Sequence, residues 1–412
     1  MEVTHEDQHA VRIAPLAGVR VLDLSQVMAA PLAAQCLGDF GAEVIKVEPV
    51  GVGDVLRPLD RVTPREGVSV YYGAANRNKR SVAVDLRSDV GRTIVRQLVS
   101  RADIVVHNYR PGVMERLGLS FDAMSTWNPG VICISVTGFG SQGPLAGKAG
   151  QDFLAQSMSG LLNRNSRGVP ALVSTPITDW GAGMLMVQGA LLALLERARS
   201  GQGQQIEVNL LDSAVFYQVL EYTALLTRGE VTNFQTSTLT DVFQTKDGWI
   251  TLVGHFRENP LRDICRALEC TDHSQRPDFA TFDLQLDHRD EVLDVLRPEF
   301  MRYSSEEVVR RLDSVDILSA AILDATDLVA HPQFEANGSI VEMELADGST
   351  VRGIANPVKL SATPAQVTRS PERLGASTAD VLAELGYSAE EIEQLAADGV
   401  VESSRVAREP GR

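Results

Sequence analysis

The sequence predicts an α/β protein, with a doubly wound, mostly parallel sheet in a large domain and a smaller α+β domain beside it. Three observations lead there. From residue 19 to residue 210, apolar runs of strand length alternate with helical segments, the pattern of parallel strands joined by crossover helices. Near Asp241 the pattern changes to a hairpin-like stretch, VFQTKDGWITLVG, which turns at Lys246-Asp247-Gly248. The chain is also 412 residues long, 44% hydrophobic and 22% charged, which is globular in composition and too long for one core.

Each element has its own signal. VRVLDLS (19–25) is an apolar strand, followed by an alanine-rich helix over 29–39 that Gly38 and Gly41 stop, and EVIKVE (43–48) is a second strand. Downstream come a strand at 81–86, an amphipathic helix over 89–101, and strands at 104–108 and 131–137. A long apolar helix runs over 179–199 and halts at Ser200-Gly201-Gln202-Gly203, and the strand QIEVNL (205–210) follows. Residues 212–240 are less periodic and read as helix, then linker. The second region carries helices over 259–268 and 305–313. Strands at 340–345 and 351–354 flank Asp347-Gly348, and two short acidic helices begin at Ser377 and Ser388 with Ser/Thr caps. Residues 1–15 read as a polar leader.

Charge and cysteine content exclude several classes. Lys+Arg 38 against Asp+Glu 54 gives a net charge of −16, a field that disfavours nucleic acid and anionic membrane as partners. Cys36, Cys133, Cys265 and Cys270 form neither a disulfide scaffold nor a zinc site, and no His or carboxylate cluster has metal-ligand spacing. The polar start MEVTHEDQHA has no apolar h-region, so a cytoplasmic protein is expected. The apolar stretch 184–195 is too short to span a bilayer. The link SQVMAAP lacks GxGxxG where a dinucleotide fold needs it, which disfavours a nicotinamide enzyme, and no GxSxG elbow is present.

Four groups of residues are candidates for chemistry. Arg77, Lys79 and Arg80 precede one strand, while Arg110 and Arg116 follow another; they are either solvated surface charges or cations that hold a polyanion. Asp179, in TDWGAG at the head of the long helix, is either an N-cap or a carboxylate kept ionised by helix amides and so available as a nucleophile. Beside it, Gly181 and Gly183 lack a Cβ and would let a bulky substrate approach the backbone. Gln151-Asp152 follows the glycine-rich run TGFGSQGPLAGKAG, which is either a lid or a surface turn, and in the latter reading Asp152 is another helix cap. His107, in an apolar strand, reads as a core imidazole.

Several stretches together resemble one family. LAGVRVLDLSQVMAAPLAAQCLGDFGAEVIKVEPVGVGD, NRNKRSVAVDL, HNYRPGVMERLGL, VTGFGSQGP, the segment from ITDWGAG to RSGQGQQIEVNLLDSA, ANPVKLSATPA and LGYSAEEI are similar, in order, to the class III CoA-transferases. That family includes formyl-CoA transferase, carnitine CoA-transferase and α-methylacyl-CoA racemase. The resemblance implies a large CoA-binding domain from both chain ends (1–211 and 329–412), a linker (212–240) and a small domain (241–328). It also implies an interlocked, ring-like homodimer, no tightly bound cofactor, and CoA as co-substrate with acyl-CoA and a small carboxylic acid as partners.

Carried onto this sequence, the resemblance makes Asp179 the aspartate that forms an acyl anhydride and an aspartyl-CoA thioester, with Gln151 and Asp152 orienting the substrate. Gln26, Val27, Met28, Ala29, Asn108, Tyr109 and Arg116 fall on the stretches that embrace CoA. Lys79 or Arg80 falls where a basic residue meets its phosphates, and Lys148 lies beside the active-site loop. Two departures select the branch. The racemases place a histidine at position 151, and glutamine has no titrating group, so transfer is expected over the alternative, racemisation or isomerisation by α-proton transfer. The stretch QTSTLTDVFQ lacks the glycine run of formyl-CoA:oxalate transferases, which weakly disfavours oxalate as acceptor. Arg164 and Arg167 are candidates to pair with the second carboxylate of a dicarboxylic acid.

Overall fold

A computed structural model describes residues 13–62, 68–163, 169–254 and 257–403. Most of the expected leader, together with Arg164 and Arg167, lies outside the described residues. The chain divides into two compact units. The first takes the residues up to Ser159, Leu172–Tyr217 and those from Asn337 onward; the second takes Gly160–Ala171 and Gln218–Ala336. The segment expected as a linker holds two helices, Leu210–Phe216 and Val219–Arg228, and the boundary between the units falls between them.

Along the chain, β1 (Arg20–Asp23), β2 (Glu43–Glu48), β3 (Lys79–Val84), β4 (Ile104–His107), β5 (Ile132–Thr137) and β6 (Gln205–Asn209) belong to the first unit. The second unit contributes β7 (Asp241–Gln244), β8 (Trp249–Val253) and β9 (Leu318–Ala321). The chain returns to the first unit with β10 (Ile340–Glu344), β11 (Thr350–Ile354) and β12 (Val401–Glu402).

The first unit is built on a seven-stranded sheet of order β12-β3-β2-β1-β4-β5-β6. All pairs are parallel except β12 with β3. Register places Val21 beside Val44 and Ile104, and Val105 beside Cys133. The strands are apolar on both faces because both are covered. Val21, Ile104 and Val106 pack with the Ala29–Asp39 helix, while Leu22, Val105 and Cys133 pack under the Asp89–Val99 and Thr378–Leu385 helices. The order reverses direction between β1 and β4, and in such sheets ligands bind at that switch point, beyond the carboxyl ends of the strands.

The long apolar helix lies within two residues of the expected 179–199 at either end. It spans Ile177–Ser200, with a mean hydropathy of 1.3 over an 18-residue window, and, against the expectation from its 12-residue apolar stretch, is the one helix among the described residues long and apolar enough to cross a membrane by length and composition. Its small-residue stripe, Ala182, Met186, Ala190 and Ala193, is buried in the same core as Ile134 and the first helix. That packing makes it a layer of the α/β unit. Gly183 permits the close approach: a Cβ there would lie 2.7 Å from the Ala29 carbonyl oxygen.

At the C-terminus, Ser388 caps its helix with a full capping box to Glu391. Ser377 precedes its helix but gives its hydroxyl to Glu372 instead. The second unit packs helices on the antiparallel sheet β7-β8-β9, with the Phe243 and Phe300 rings 4.3 Å apart in its core. The hairpin turn is as expected, and β9, invisible in the sequence, adds to its edge.

Candidate active site

A cavity of about 430 Å³ opens in the first unit at the β1/β4 switch point. The turn after β1 supplies Val27, Met28 and Ala29. The segment after β4 supplies Asn108 to Pro111, and the end of β5 supplies Val136 to Gly138. Lys148, Gln151 and Asp179 complete the polar lining, with Leu154 and Leu210 among the apolar walls. Its size suits a small-molecule site, and its walls mix apolar side chains with polar and charged ones.

Asp179 sits on the third residue of the long helix, half-buried at the cavity wall. It is not the cap. Pro176 occupies that position, and the capping carboxylate comes from Asp152 in the preceding helix, Asp152–Met158. Asp152 accepts hydrogen bonds from the Thr178 amide at 2.6 Å and the Asp179 amide at 3.1 Å, as well as from the Thr178 hydroxyl. Gln156 donates to it at 2.6 Å and is itself fixed by the backbone of Val173 and Thr175. The amides expected to hold Asp179 ionised therefore serve Asp152.

This reverses the electrostatic expectation for Asp179. Burial, and then repulsion by Asp152, push its carboxyl from 3.8 up to about 7. Among the described residues its carboxylate has no hydrogen-bond or ion-pair partner. It is an aspartate held by its backbone, with its oxygens left for a ligand. Higher proton affinity and poorer solvation also make its ionised form a stronger nucleophile than an ordinary aspartate.

The neighbouring glycines do a different job from the one expected. A Cβ on Gly181 would lie 0.9 Å from the Tyr217 hydroxyl, which donates to the Ile177 carbonyl at 3.2 Å. Gly183 meets the first helix, so the chain itself fills both spaces and no substrate can use them. Glycine matters more in the loop before Gln151. Gly138 and Gly150 touch backbone to backbone, where a Cβ on either would fall within 2.3 Å of the other's Cα. The loop between them is thus pinched shut at its base, and it carries Lys148 over the Phe139 ring at 5.4 Å. Gly138-Phe139-Gly140-Ser141-Gln142-Gly143 has the spacing of a dinucleotide loop, but turns follow it and no helix N-terminus meets a phosphate there.

Of the other expected residues, Asn108 lines the cavity but uses its amide to grip Gln26. It accepts from the Gln26 amide at 3.0 Å and donates to the Gln26 carbonyl at 2.6 Å. Gln26 is therefore a backbone anchor behind the lining, and Tyr109 is part of the lining itself. Arg116 lies on the short helix Val113–Arg116 outside the lining. Arg110 does line it.

The basic cluster before β3 is internal, and this corrects the expectation that Lys79 or Arg80 meets phosphates. Lys79 is 1% exposed and its three ammonium donors go to Asp23 at 2.8 Å, the Pro31 carbonyl at 2.7 Å and Asn76 at 2.8 Å, leaving none for a ligand. Burial pulls it down to about 8 despite Asp23. Burial also opposes charge on Asp23, but Lys46 and Lys79 prevail and hold it at about 2. Arg80 is paired with Glu384 at 2.7 Å and Glu43 at 3.2 Å, and Arg77 is clamped by Asp39. Neither Lys79 nor Arg80 lines the cavity. His107 is buried as expected, held near 4 by burial. Among the described residues no group of three or more His, Cys, Asp or Glu side chains is placed to hold a metal.

A mostly parallel sheet of this order, with an uncommitted carboxylate in a cavity at its switch point, defines an α/β protein with a candidate small-molecule site. Comparison with known proteins makes this specific. The chain belongs to CoA-transferase family III, whose description matches residues 16–378. The succinate–glutarate CoA-transferase of Agrobacterium fabrum is 33% identical over 387 residues, covering 90% of this chain and 96% of that protein. The human succinyl-CoA:glutarate CoA-transferase is 31% identical over 401 residues, covering 95% and 90%. A CAIB/BAIF family protein from Brucella suis superposes with a TM-score of 0.81 at 28% identity, covering 91% of this chain and all of that one. A Mycobacterium tuberculosis protein gives 0.79 at 30%, covering 89% and 98%. The protein is thus a CoA-transferase, with CoA as co-substrate and acyl-CoA and carboxylate as its substrate classes.

Proposed function

We propose that this enzyme moves CoA from an acyl-CoA to a free dicarboxylic acid through a covalent aspartyl-CoA at Asp179. One Asp179 oxygen attacks the thioester carbonyl, the C–S bond breaks, and CoA leaves as thiolate while an acyl-aspartyl anhydride remains. The thiolate attacks the aspartyl carbonyl of that anhydride, releases the donor acid as carboxylate, and leaves aspartyl-CoA. The acceptor carboxylate then attacks the aspartyl thioester and displaces thiolate. Attack of the thiolate on the acceptor's carbonyl releases the new acyl-CoA and restores Asp179. One thioester replaces another, so no proton, ATP or metal enters the balance, and one hard step becomes several easier ones.

The observation that carries this reading is the Asp179 carboxylate: it faces the cavity, is held through its backbone, and has no partner among the described residues. Gln151 beside it cannot take a proton, which favours transfer over α-proton exchange. Dicarboxylates are supported by the relatives' substrates and by Arg110 and Lys148, two cations at the cavity wall. Asp152 acts behind Asp179, as its positioning residue.

A homodimer is part of the proposal. Leu191, Leu192 and Leu195 stand exposed along the outer face of the long helix, an apolar stripe that suits a second copy. A reducing, cytoplasmic setting suits the four free thiols. The test is transfer from succinyl-CoA to a panel of dicarboxylic acids by wild type and Asp179→Ala. Wild type should transfer and the variant should bind CoA without turnover; transfer by the variant would overturn the covalent route.

A further inference from the structure

The turn between β1 and the first helix contains Val27 at φ 71°, a left-handed conformation that a β-branched side chain strongly resists. The other non-glycine residues with positive φ among those described are Asn78, Glu269 and Asp316. Nothing in the local sequence favours this shape, so it has to be imposed from outside.

Three side chains from three parts of the fold impose it, one on each successive backbone unit. Lys46, in β2, donates to the Ser25 carbonyl at 2.7 Å. Asn108, after β4, holds Gln26 by its amide and its carbonyl. Asp54, in the loop after β2, receives the Val27 amide on both carboxylate oxygens at 3.2 and 3.3 Å. Asp54 is completely buried and ion-paired with the equally buried Lys46 at 3.0 Å, and it also accepts from the Leu56 amide. Lys46 and Asp54 are shut off from solvent, and Asn108 stands at the cavity edge. What they hold is open: Val27 is 40% exposed, and Val27, Met28 and Ala29 together form one wall of the cavity. A strained conformation persists only where its surroundings over-determine it, and here its exposed side is turned to a ligand.

We propose that Asp54, braced by Lys46, is a positioning residue for acyl-CoA: through the Val27 amide it fixes the Gln26–Ala29 turn in its ligand-contacting shape before CoA arrives. This rests on the reading of the cavity as the CoA site. Ordering the turn in advance removes that cost from binding, so affinity and KM feel its loss more than the chemical step does.

The test uses the full chain and follows CoA affinity by calorimetry, KM and kcat with succinyl-CoA, and urea stability. Asp54→Ala should weaken CoA binding roughly tenfold or more, because a displaced contact surface misplaces the ligand, and raise KM more than it lowers kcat. Val27→Gly added to Asp54→Ala should recover most of that affinity, since glycine takes positive φ without restraint. Lost stability alone would show in urea unfolding and leave the CoA affinity of the folded protein unchanged. If Asp54→Ala fails to fold, Val27→Pro serves in its place: at an exposed position it fixes φ at about −65° and removes the amide that Asp54 holds, so the folded variant should lose CoA affinity. CoA binding at wild-type strength by Asp54→Ala or Val27→Pro, or a double variant no better than Asp54→Ala, would overturn the inference. Absence of CoA binding by the unaltered protein would overturn the reading of the cavity, and the inference with it.

Discussion

Asp179 carries a carboxyl raised from 3.8 to about 7, and such a shift has a thermodynamic sign as well as a kinetic one. Folding raises its proton affinity, so its contribution to stability is complete below about pH 4 and is lost as pH climbs through about 7. At 1.36 kcal/mol per tenfold in proton affinity, the ionised group costs the folded state about 4 kcal/mol at pH 8. Its partial exposure to solvent reduces that to about 2 kcal/mol. Asparagine has the same shape and no charge, so Asp179→Asn should be the more stable protein at pH 8. Its advantage should shrink by about 1–3 kcal/mol on going to pH 5. Thermal unfolding of both proteins at the two pH values reads this directly, with a rise of about 2–3 °C expected for the variant at pH 8. An unchanged melting temperature at pH 8, or the same gap at both pH values, would show that Asp179 ionises as an ordinary surface aspartate and refute the reasoning.

Three further outcomes are expected. The acid limb of kcat/KM should have its midpoint near 7, because Asp179 must be ionised to attack. Asp152→Asn should move that midpoint to lower pH while leaving it well above 3.8, since burial is the larger cause of the shift; a pH–rate profile of each protein checks this. Lys79→Met should cost about 3 kcal/mol in urea unfolding, because it strips Asp23 of a buried partner, and should leave CoA affinity unchanged in calorimetry. Loss of CoA affinity by a stable Lys79→Met protein would return Lys79 to the binding site.

The parallel sheet was legible because buried parallel strands are written as continuous apolar runs and their helices as periodic ones. Asp179 was legible too, as a carboxylate at the head of a long helix. Its electrostatics were not. Asp152 caps a helix that begins 25 residues later, and nothing in the local sequence says which of two carboxylates takes the amides. The basic run at residues 77–80 reads as a surface cluster because its partners Asp39, Asp23 and Glu384 are distant in sequence. A signal was present nevertheless: Asp23 in VLDLS and Lys46 in VIKVE interrupt two otherwise apolar strands with opposite charges. Such charges in adjacent buried strands need each other and further partners, and Lys79 is one. Gly181 and Gly183 illustrate the converse, since a missing Cβ serves the protein's own packing as readily as a ligand.

Whether the Asp179 carboxyl forms a thioester with CoA is open to direct measurement. Wild-type protein incubated with succinyl-CoA, quenched in acid and weighed intact should gain the mass of CoA less water, and tandem spectra should put the adduct on the peptide containing Asp179. Protein that turns over succinyl-CoA yet shows no adduct there under any quench, or shows it on another side chain, would contradict the account.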